Sequence, residues 1–409
     1  MRHDLDRAAL AQGQPRAPRR LARLALAALP LTLIGCGGGT TTVTVTPAPP
    51  SSSATAPPTT TSTATSSTAS ATPAPGPVIS LVWVVATPTG AQIRQVRPGA
   101  GPVRTIATLA PDDHVVAHGS GLIVVATATR WFRIITVSDG SSRLPAGGFG
   151  GVFLDGAALS PDGTKLAYVD SVGGLSGALK VIDLGTGSST TLRTFPNNRL
   201  DVPATWSDTG IGATNIVGAS DAPPQAALTL NPATGARVAS TVIANLAAIV
   251  LTADAAHAAL ILHSALGDEA DFAGGPGPQG PFNTLQLATI GGGVVTLLKE
   301  AHHDITALAS LPSGDRVLVH DGSAAGGFAG ISLSPDFGLI AVGGGGAKAQ
   351  YAKEDGTQYD SGAFYQDGTT VAVSSHSSSG ERLVQYAPGA APVTLDSVAG
   401  GQFASVFLV

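Results

Sequence analysis

The stretch "LSPDGTKLAYVD", residues 159–170, places a tight turn between two short runs of β-prone residues. Pro161 presets φ for the first turn position, and Gly163 is able to adopt the left-handed conformation that such a turn requires. The stretch therefore predicts a β-hairpin. The fold depends on whether this hairpin is single or repeated along the chain.

A second hairpin follows directly in "GALKVIDLGTGSSTTLRTF", residues 177–195. Two linked hairpins form a four-stranded antiparallel unit of about 40 residues, which is the size of one propeller blade. Copies of the second hairpin begin at Ile93, Phe132, Leu179, Leu228, Leu285 and Leu383. Looser copies of the first hairpin begin at Ala204, Ile249, Ala307 and Ala363. This repetition, with almost no helical periodicity after residue 78, predicts an all-β propeller of four-stranded blades.

The Ser-Pro-Asp-Gly turn, the "KLAYV" strand and the "VIDLGTG" hairpin resemble the repeats of TolB-like, or WD-like, β-propellers. The match is close over residues 157–195 and partial over most of residues 78–409. The chain lacks the Trp-Asp dipeptide of WD repeats and has no counterpart of the separate α/β domain of TolB. The resemblance implies a fold and names no ligand.

We expect seven blades, with six and eight as the alternatives. The first blade would contain three strands within residues 78–109 and receive its fourth from "GQFASVFLV" at residues 401–409, which removes the open edges of the ring. Residues 307–362 leave the count ambiguous, because they contain both "SLPSGDRVLV" and "SLSPDFGLIAV". They form either one blade with a long insertion or two irregular blades.

The first 35 residues have the layout of a secretory signal peptide. Six arginines precede a short apolar run, "LALAALPLTLIG" from Leu24 to Gly35, which contains Pro30 and is shorter than the 20 or so residues of a spanning helix. The run ends in Leu33-Ile34-Gly35-Cys36, which resembles the bacterial lipobox. The resemblance implies that Cys36 carries a palmitate-type lipid, becomes the mature N-terminus and anchors the protein on the extracytoplasmic side of a membrane of the bacterial cell envelope. The alternatives are an ordinary signal peptide and an uncleaved anchor with an incidental cysteine.

Cys36 is the only cysteine of the 409 residues, so neither an intramolecular disulfide nor a zinc site with several thiolates is possible. Cleavage before Cys36 would leave 16 basic and 25 acidic residues, a net charge of −9. This charge argues against a nucleic-acid partner, which favours a basic face. Membrane attachment must therefore come from the lipid.

Residues 36–77 are rich in Thr, Ser, Pro and Ala and contain no charged side chain. Such a segment does not bury enough apolar surface to offset its ordering entropy, so we expect a disordered tether that spans roughly 35 Å as a flexible coil. It is either a plain spacer or an O-glycosylated stalk. Residues 78–409 form the propeller domain.

Motifs that carry chemistry are few. Gly275–Gly280 matches G-x-G-x-x-G but holds two prolines and opens no helix, and Gly343–Lys348 lacks the spacing of a phosphate-binding loop. His302, His303 and Asp304 are successive residues whose side chains alternate in a strand, so loop polarity is favoured over a metal site. Asp268, Glu269 and Asp271 lack the spacing of a calcium loop, which leaves a solvated acidic loop or weak cation binding.

Three tryptophans, Trp83, Trp131 and Trp206, lie at similar positions on the predicted strands. Core packing explains them most simply, with a sugar-binding rim as the alternative. No G-x-S-x-G nucleophile motif occurs in the sequence, and the single cysteine is assigned to the lipid. We therefore predict no catalytic, cofactor-binding or metal-binding residue, and no cofactor.

The sequence as a whole predicts a non-enzymatic cell-envelope lipoprotein whose propeller is a protein-interaction scaffold. We expect a monomer, attached to the membrane through Cys36, with an envelope protein as partner and with contacts through the top or bottom loops. Residues 263–284 are the most obvious candidate loop. A carbohydrate-binding module or a hydrolase on the same scaffold is the rival function, and a structural surface protein without a defined ligand is a third.

Overall fold

The chain divides into two units, Met1–Gly76 and Pro77–Val409. A computed structural model describes residues 80–97, 100–144, 152–171, 176–195, 199–217, 225–243, 246–262, 284–299, 303–311, 314–323, 338–353, 357–377, 380–399 and 401–409, all of them in the second unit. The predicted signal peptide, Cys36 and the predicted tether lie outside the described residues.

Every regular element of the described residues is a β-strand, apart from one turn of 3-10 helix at Gly344–Gly346. The first fifteen strands are β1 (Leu81–Thr87), β2 (Gly90–Arg97), β3 (Ala100–Leu109), β4 (His114–Gly119), β5 (Leu122–Ala126), β6 (Phe132–Thr136), β7 (Ser142–Arg143), β8 (Val152–Leu159), β9 (Lys165–Ser171), β10 (Gly177–Asp183), β11 (Ser189–Phe195), β12 (Arg199–Ser207), β13 (Gly210–Val217), β14 (Ala226–Leu230) and β15 (Arg237–Val242). The others are β16 (Leu246–Leu251), β17 (His257–Leu262), β18 (Thr284–Thr289), β19 (Val294–Lys299), β20 (His303–Ser310), β21 (Arg316–Ser323), β22 (Gly338–Gly343), β23 (Lys348–Lys353), β24 (Gln358–Phe364), β25 (Val371–Ser377), β26 (Gly380–Tyr386), β27 (Val393–Val398) and β28 (Gln402–Leu408). Within these segments, no helix is long and apolar enough to cross a membrane.

The strands form seven four-stranded antiparallel sheets, which are the seven blades of a propeller. Blade 1 consists of β28, β1, β2 and β3, and blades 2 to 7 each take four consecutive strands, from β4–β7 to β24–β27. The predicted β-propeller and the count of seven are confirmed. The ambiguous region is one blade, β20–β23, in which residues 324–337 separate the second strand from the third. The second Ser-Pro-Asp of that region, residues 334–336, lies outside the described residues.

The ring closes through the predicted pairing of the C-terminal strand with the first strand. β28 runs antiparallel to β1 with Leu81 opposite Leu408 and Trp83 opposite Val406. Ser80 and Val409 extend the ladder by exchanging two backbone hydrogen bonds, of 2.9 and 3.0 Å. β28 is thereby the inner strand of blade 1, and the prediction that residues 401–409 complete this blade is confirmed.

Each blade buries both of its faces against its neighbours. In β1, Leu81, Trp83 and Val85 point into an apolar cluster shared with blade 7, whereas Val82 and Val84 point into one shared with blade 2. Each of the other five interfaces between consecutive blades holds one such cluster. A strand buried on both sides needs apolar residues at successive positions, which explains runs such as "LVWVV" at residues 81–85.

The turn in the opening stretch adopts the predicted geometry. Gly163 takes a left-handed φ of 70°, and its N–H donates to the Ser160 carbonyl at 2.8 Å. The Asp162 carboxylate accepts from Ser160 Oγ at 2.6 Å and from the Thr164 N–H at 3.0 Å. These bonds, the one from Ser160 first, lower the pKa of Asp162 to about 2. The turn is therefore held by its own side chains.

The antiparallel order gives the ring two different ends. The turns between first and second strands and between third and fourth strands lie at one end, here called the turn face. The connections between second and third strands, and the links to the next blade, lie at the other end, here called the loop face. The strand ends that flank the longest intervals between consecutive strands, Leu262 with Thr284 and Ser323 with Gly338, lie at the loop face.

The junction of blades 7 and 1 depends on Asp396, whose carboxylate accepts from the buried Trp83 Nε1 at 2.8 Å and from Arg94 Nη1 at 2.8 Å. We expect Asp396→Ala to lower the free energy of unfolding by about 2 kcal/mol, because it leaves the fully buried indole N–H without an acceptor. Asp396→Asn keeps an acceptor and should cost about half as much. Denaturant unfolding measures both, with the exposed neighbour Ser397→Ala as control. A loss in Asp396→Ala no larger than that of Ser397→Ala would contradict the assignment.

Candidate binding site on the loop face

An exposed tryptophan stands on the loop face of blade 2. Trp131 keeps 41% of its surface accessible, directly before β6. The Thr127 hydroxyl accepts from the Trp131 N–H at 3.1 Å and donates to the Trp131 carbonyl at 2.9 Å, and the Thr127 N–H donates to the same carbonyl at 2.9 Å. Three hydrogen bonds from one residue therefore fix the backbone that carries the indole.

The same turn contains a strained residue. Arg130 has a φ of 65°, a left-handed conformation that is uncommon for residues other than glycine, and its N–H donates to the Thr127 carbonyl at 2.8 Å. Asp113 ties the turn to the link from blade 1, because its carboxylate accepts from the N–H groups of Ala128 and Ala110 at 3.2 and 3.3 Å. Strain of this kind persists where the surroundings enforce it, and it is concentrated at functional sites.

The three tryptophans occupy different environments. Trp83 is fully buried between blades 7 and 1, and Trp206 packs against the cluster between blades 3 and 4. The expectation of core packing is confirmed for these two. It is wrong for Trp131, because this residue belongs to a turn at the end of its blade and not to the middle of a strand.

A carboxylate–imidazole pair lies at the loop-face end of blade 7. His376 Nδ1 is 2.8 Å from Asp360 Oδ2, and the side chains are 40% and 41% exposed. Asp360 lies on the inner strand β24 and His376 on β25. With Nδ1–H donating to the carboxylate, Nε2 is the nitrogen available to a ligand, either as a hydrogen-bond acceptor or as a base. Glu381 lies opposite His376 in the sheet, but its carboxylate accepts from the Phe403 N–H at 2.8 Å.

A second histidine lies at the junction of inner strands β4 and β28. The His118 ring stacks on Phe407, with 4.0 Å between ring centroids and 13° between planes. Desolvation by the surrounding atoms lowers the pKa of His118 to about 4 and outweighs the opposite effect of its bond to the Leu408 backbone. The residue nevertheless keeps accessible surface. His118 lies on the inner strand of its blade, and the inner strands of a propeller line its central channel.

Several residues singled out in the sequence lie outside the described segments. These are Cys36, the Gly275–Gly280 motif, the acidic group Asp268, Glu269 and Asp271, and His302. The backbone of His303 and Asp304 begins β20. Gly343–Lys348 forms the turn between β22 and β23, in agreement with the rejection of a phosphate loop.

The described residues contain no group of three or more His, Cys, Asp or Glu side chains placed to hold a metal ion. Sequence reasoning missed the Asp360–His376 pair and His118. In the sequence, only the polar side chains that alternate near the ends of the strands could have indicated these residues.

No family model matches the chain, and no curated protein matches it. Solved structures match in fold. Oligogalacturonate lyase from Vibrio parahaemolyticus matches with a TM-score of 0.50 and 8% identity, over 74% of this chain and 91% of that one. TolB from Acinetobacter baumannii matches with a TM-score of 0.45 and 13% identity, over 80% and 66%. The acylaminoacyl peptidase of Pyrococcus horikoshii matches with a TM-score of 0.47 and 11% identity, over 69% and 45%. These proteins differ in function, so the likeness concerns the β-propeller fold alone.

The lowered pKa of His118 predicts a pH dependence of stability. The folded protein takes up this proton near pH 4, whereas the unfolded chain takes it up near the ordinary value of 6.5. The contribution of His118 to the free energy of unfolding is therefore complete above pH 6.5 and is lost as the pH falls from 6.5 to 4. We expect His118→Phe to flatten this part of the profile of unfolding free energy against pH. A profile of His118→Phe that matches that of the unmodified protein would refute the assignment.

Proposed function

We propose that the propeller is a non-enzymatic protein-interaction scaffold and that the loop face of blade 2 is part of its binding surface. The observation that carries the proposal is Trp131, an indole that is 41% exposed on a turn held by three hydrogen bonds. Tryptophan and arginine are the residues most often found as energetic centres of protein interfaces. An anchor that is rigid before binding also loses little conformational entropy when the partner docks.

The second part of this proposal concerns the cellular location of the protein. The basic segment, the apolar run and the sequence Leu33-Ile34-Gly35-Cys36 support a lipoprotein anchored through Cys36 on the extracytoplasmic side of an envelope membrane. Residues 37–77 contain no charged side chain and would let the propeller reach a partner at a distance from the bilayer. Lipid on Cys36 would then supply the membrane affinity that an acidic protein does not gain from electrostatic attraction.

The lipid anchor is tested by substitution of its attachment residue. We expect Cys36→Ala to move the protein from the membrane to the soluble fraction and to abolish its labelling with radioactive palmitate in bacterial cells. Cys36→Ser, which keeps the size of the side chain, should behave as Cys36→Ala does. Membrane association and palmitate labelling that both survive in Cys36→Ala would disprove the anchor.

The scaffold is tested by crosslinking in cells. A photoreactive amino acid in place of Trp131 should yield a discrete adduct with an envelope protein, identified by mass spectrometry. The same amino acid in place of Val295, which is 55% exposed on the outer strand of blade 5, should not yield that adduct. With the purified partner, Trp131→Ala should weaken binding roughly 30-fold. The same adduct from both positions, or none from either, would reject this surface.

Carbohydrate binding is the second candidate, because an exposed indole is also a platform for the apolar face of a sugar ring. A panel of envelope polysaccharides separates the two functions. Retention on one of them that disappears in Trp131→Ala, together with an absence of protein adducts from position 131, would favour the carbohydrate module.

A further inference from the structure

At the turn face, the crevice between blades 1 and 2 brings two arginines to one carbonyl oxygen. Arg97 Nη2 donates to the Ser138 carbonyl at 2.9 Å, and Arg104 Nη2 donates to the same oxygen at 2.7 Å. Arg97 ends β2 and Arg104 lies in β3 of blade 1, whereas Ser138 lies in the turn before β7 of blade 2. Two guanidinium groups that share an acceptor are close enough to repel each other.

Among the described residues, no carboxylate forms an ion pair with Arg97 or Arg104. The ion pairs of the surrounding strands involve Arg94 and Arg133, and neither Arg97 nor Arg104 takes part in one. Asp139 follows Ser138 directly, but its carboxylate accepts from the Ser141 N–H at 2.8 Å. The pKa of Asp139 is lowered mainly by its bonds to Ser141 and only to a smaller extent by Arg104. Asp139 therefore acts on Arg104 only from a distance, and it forms no ion pair with either arginine.

Buried groups hold this arrangement in place. Gln95 is 1% exposed, and its Oε1 accepts from Arg104 Nη2 at 3.2 Å, while the Val137 carbonyl accepts from the same nitrogen at 2.9 Å. Gly140 has a φ of 76°, and a Cβ at this position would lie 2.7 Å from the Ile106 carbonyl oxygen. Only glycine lets the turn lie directly on β3, so the Ser138 carbonyl of blade 2 is held against the two arginines of blade 1.

The distribution of charged residues along the chain also distinguishes the part of the ring formed by blades 1 and 2. Residues 80–144, which include the last three strands of blade 1 and all of blade 2, contain six arginines and three aspartates. Residues 145–409 contain ten basic and 22 acidic residues. A positive sector on an otherwise acidic protein directs an anionic ligand to that sector and away from the remaining blades.

We propose that Arg97 and Arg104 form a binding site for an oxyanion, the phosphate or carboxylate group of an anionic ligand. In each arginine, Nε and Nη1 donate to none of the described residues, so these N–H groups are available to the anion. Guanidinium groups bind phosphate and carboxylate through paired hydrogen bonds, and a bound anion removes the repulsion between them. The site lies at the end of the ring opposite Trp131, so it is independent of the proposed protein-binding surface.

Calorimetric titration of the intact protein with inorganic phosphate, at constant ionic strength, tests the site. We expect Arg97→Gln and Arg104→Gln each to weaken phosphate binding at least tenfold. Arg97→Lys keeps the charge but not the planar donor pair and should weaken it several-fold. Arg199→Gln removes an exposed arginine from blade 4 and should change the affinity less than twofold. Absence of binding by the unmodified protein, or an equal loss in Arg199→Gln, would overturn the proposal.

Thermal melting of each variant separates loss of the site from loss of the fold. If Arg104→Gln does not fold, Arg97→Gln decides, because Arg97 contributes only one hydrogen bond to the crevice. Parallel titrations with acetate and with a pentaglutamate peptide distinguish the source of the oxyanion. Phosphate-selective binding assigns a phosphate-bearing ligand, tighter binding of the peptide assigns an acidic protein segment, and binding of none of the three refutes the site. Crosslinking from position 131 is a separate measurement. If the protein does not bind an oxyanion, the scaffold proposal is therefore unaffected.

Discussion

The pairing of β28 with β1 is the constraint on which the other contacts depend, because it turns a row of blades into a ring. An apolar cluster lies at each of the seven interfaces, and the one between blades 7 and 1 forms only when Phe403 and Val406 of the closing strand meet Trp83. Since the entropic cost of closing a loop grows only with the logarithm of its length, one pairing between distant ends is tolerable. The closure also removes two edges that would otherwise be free to pair with other chains.

Much of this fold was predictable because its blades are built from local turns. The Gly163 turn recurs with the same hydrogen bond at Gly314 and Gly368, and the Gly187 turn recurs at Gly235. In blade 5, Ala255 takes the equivalent position with a φ of 56°. Because the glycine is absent there, the sequence repeat is harder to recognise in this blade. Blade 6 stayed ambiguous for a different reason. A turn motif shows where the chain reverses, whereas the assignment of residues 338–343 as a third strand depends on pairing with β21.

The candidate sites were less predictable, because they join residues that only the ring brings together. Arg97, Arg104 and Ser138 come from two blades, and no spacing rule connects them. Asp360 and His376 belong to neighbouring strands, but their contact depends on the register and on a bulge after Tyr359. Trp83 and Trp131 look alike in sequence. Only the position of each within its blade decides that one is fully buried and the other is 41% exposed.

The burial of both blade faces also limits where this protein is able to hold a ligand. Side chains in the middle of a blade are committed to the clusters between blades, so binding groups must come from the two ends of the ring, the channel or the outer strands. At the turn face, the tight glycine turns offer few side chains, and the arginines of blade 1 reach the Ser138 carbonyl from their strands. At the loop face, a turn itself carries the indole of Trp131, with its backbone fixed by Thr127. The same architecture therefore places a charged site and an apolar anchor at opposite ends, where one is able to change without disturbing the other.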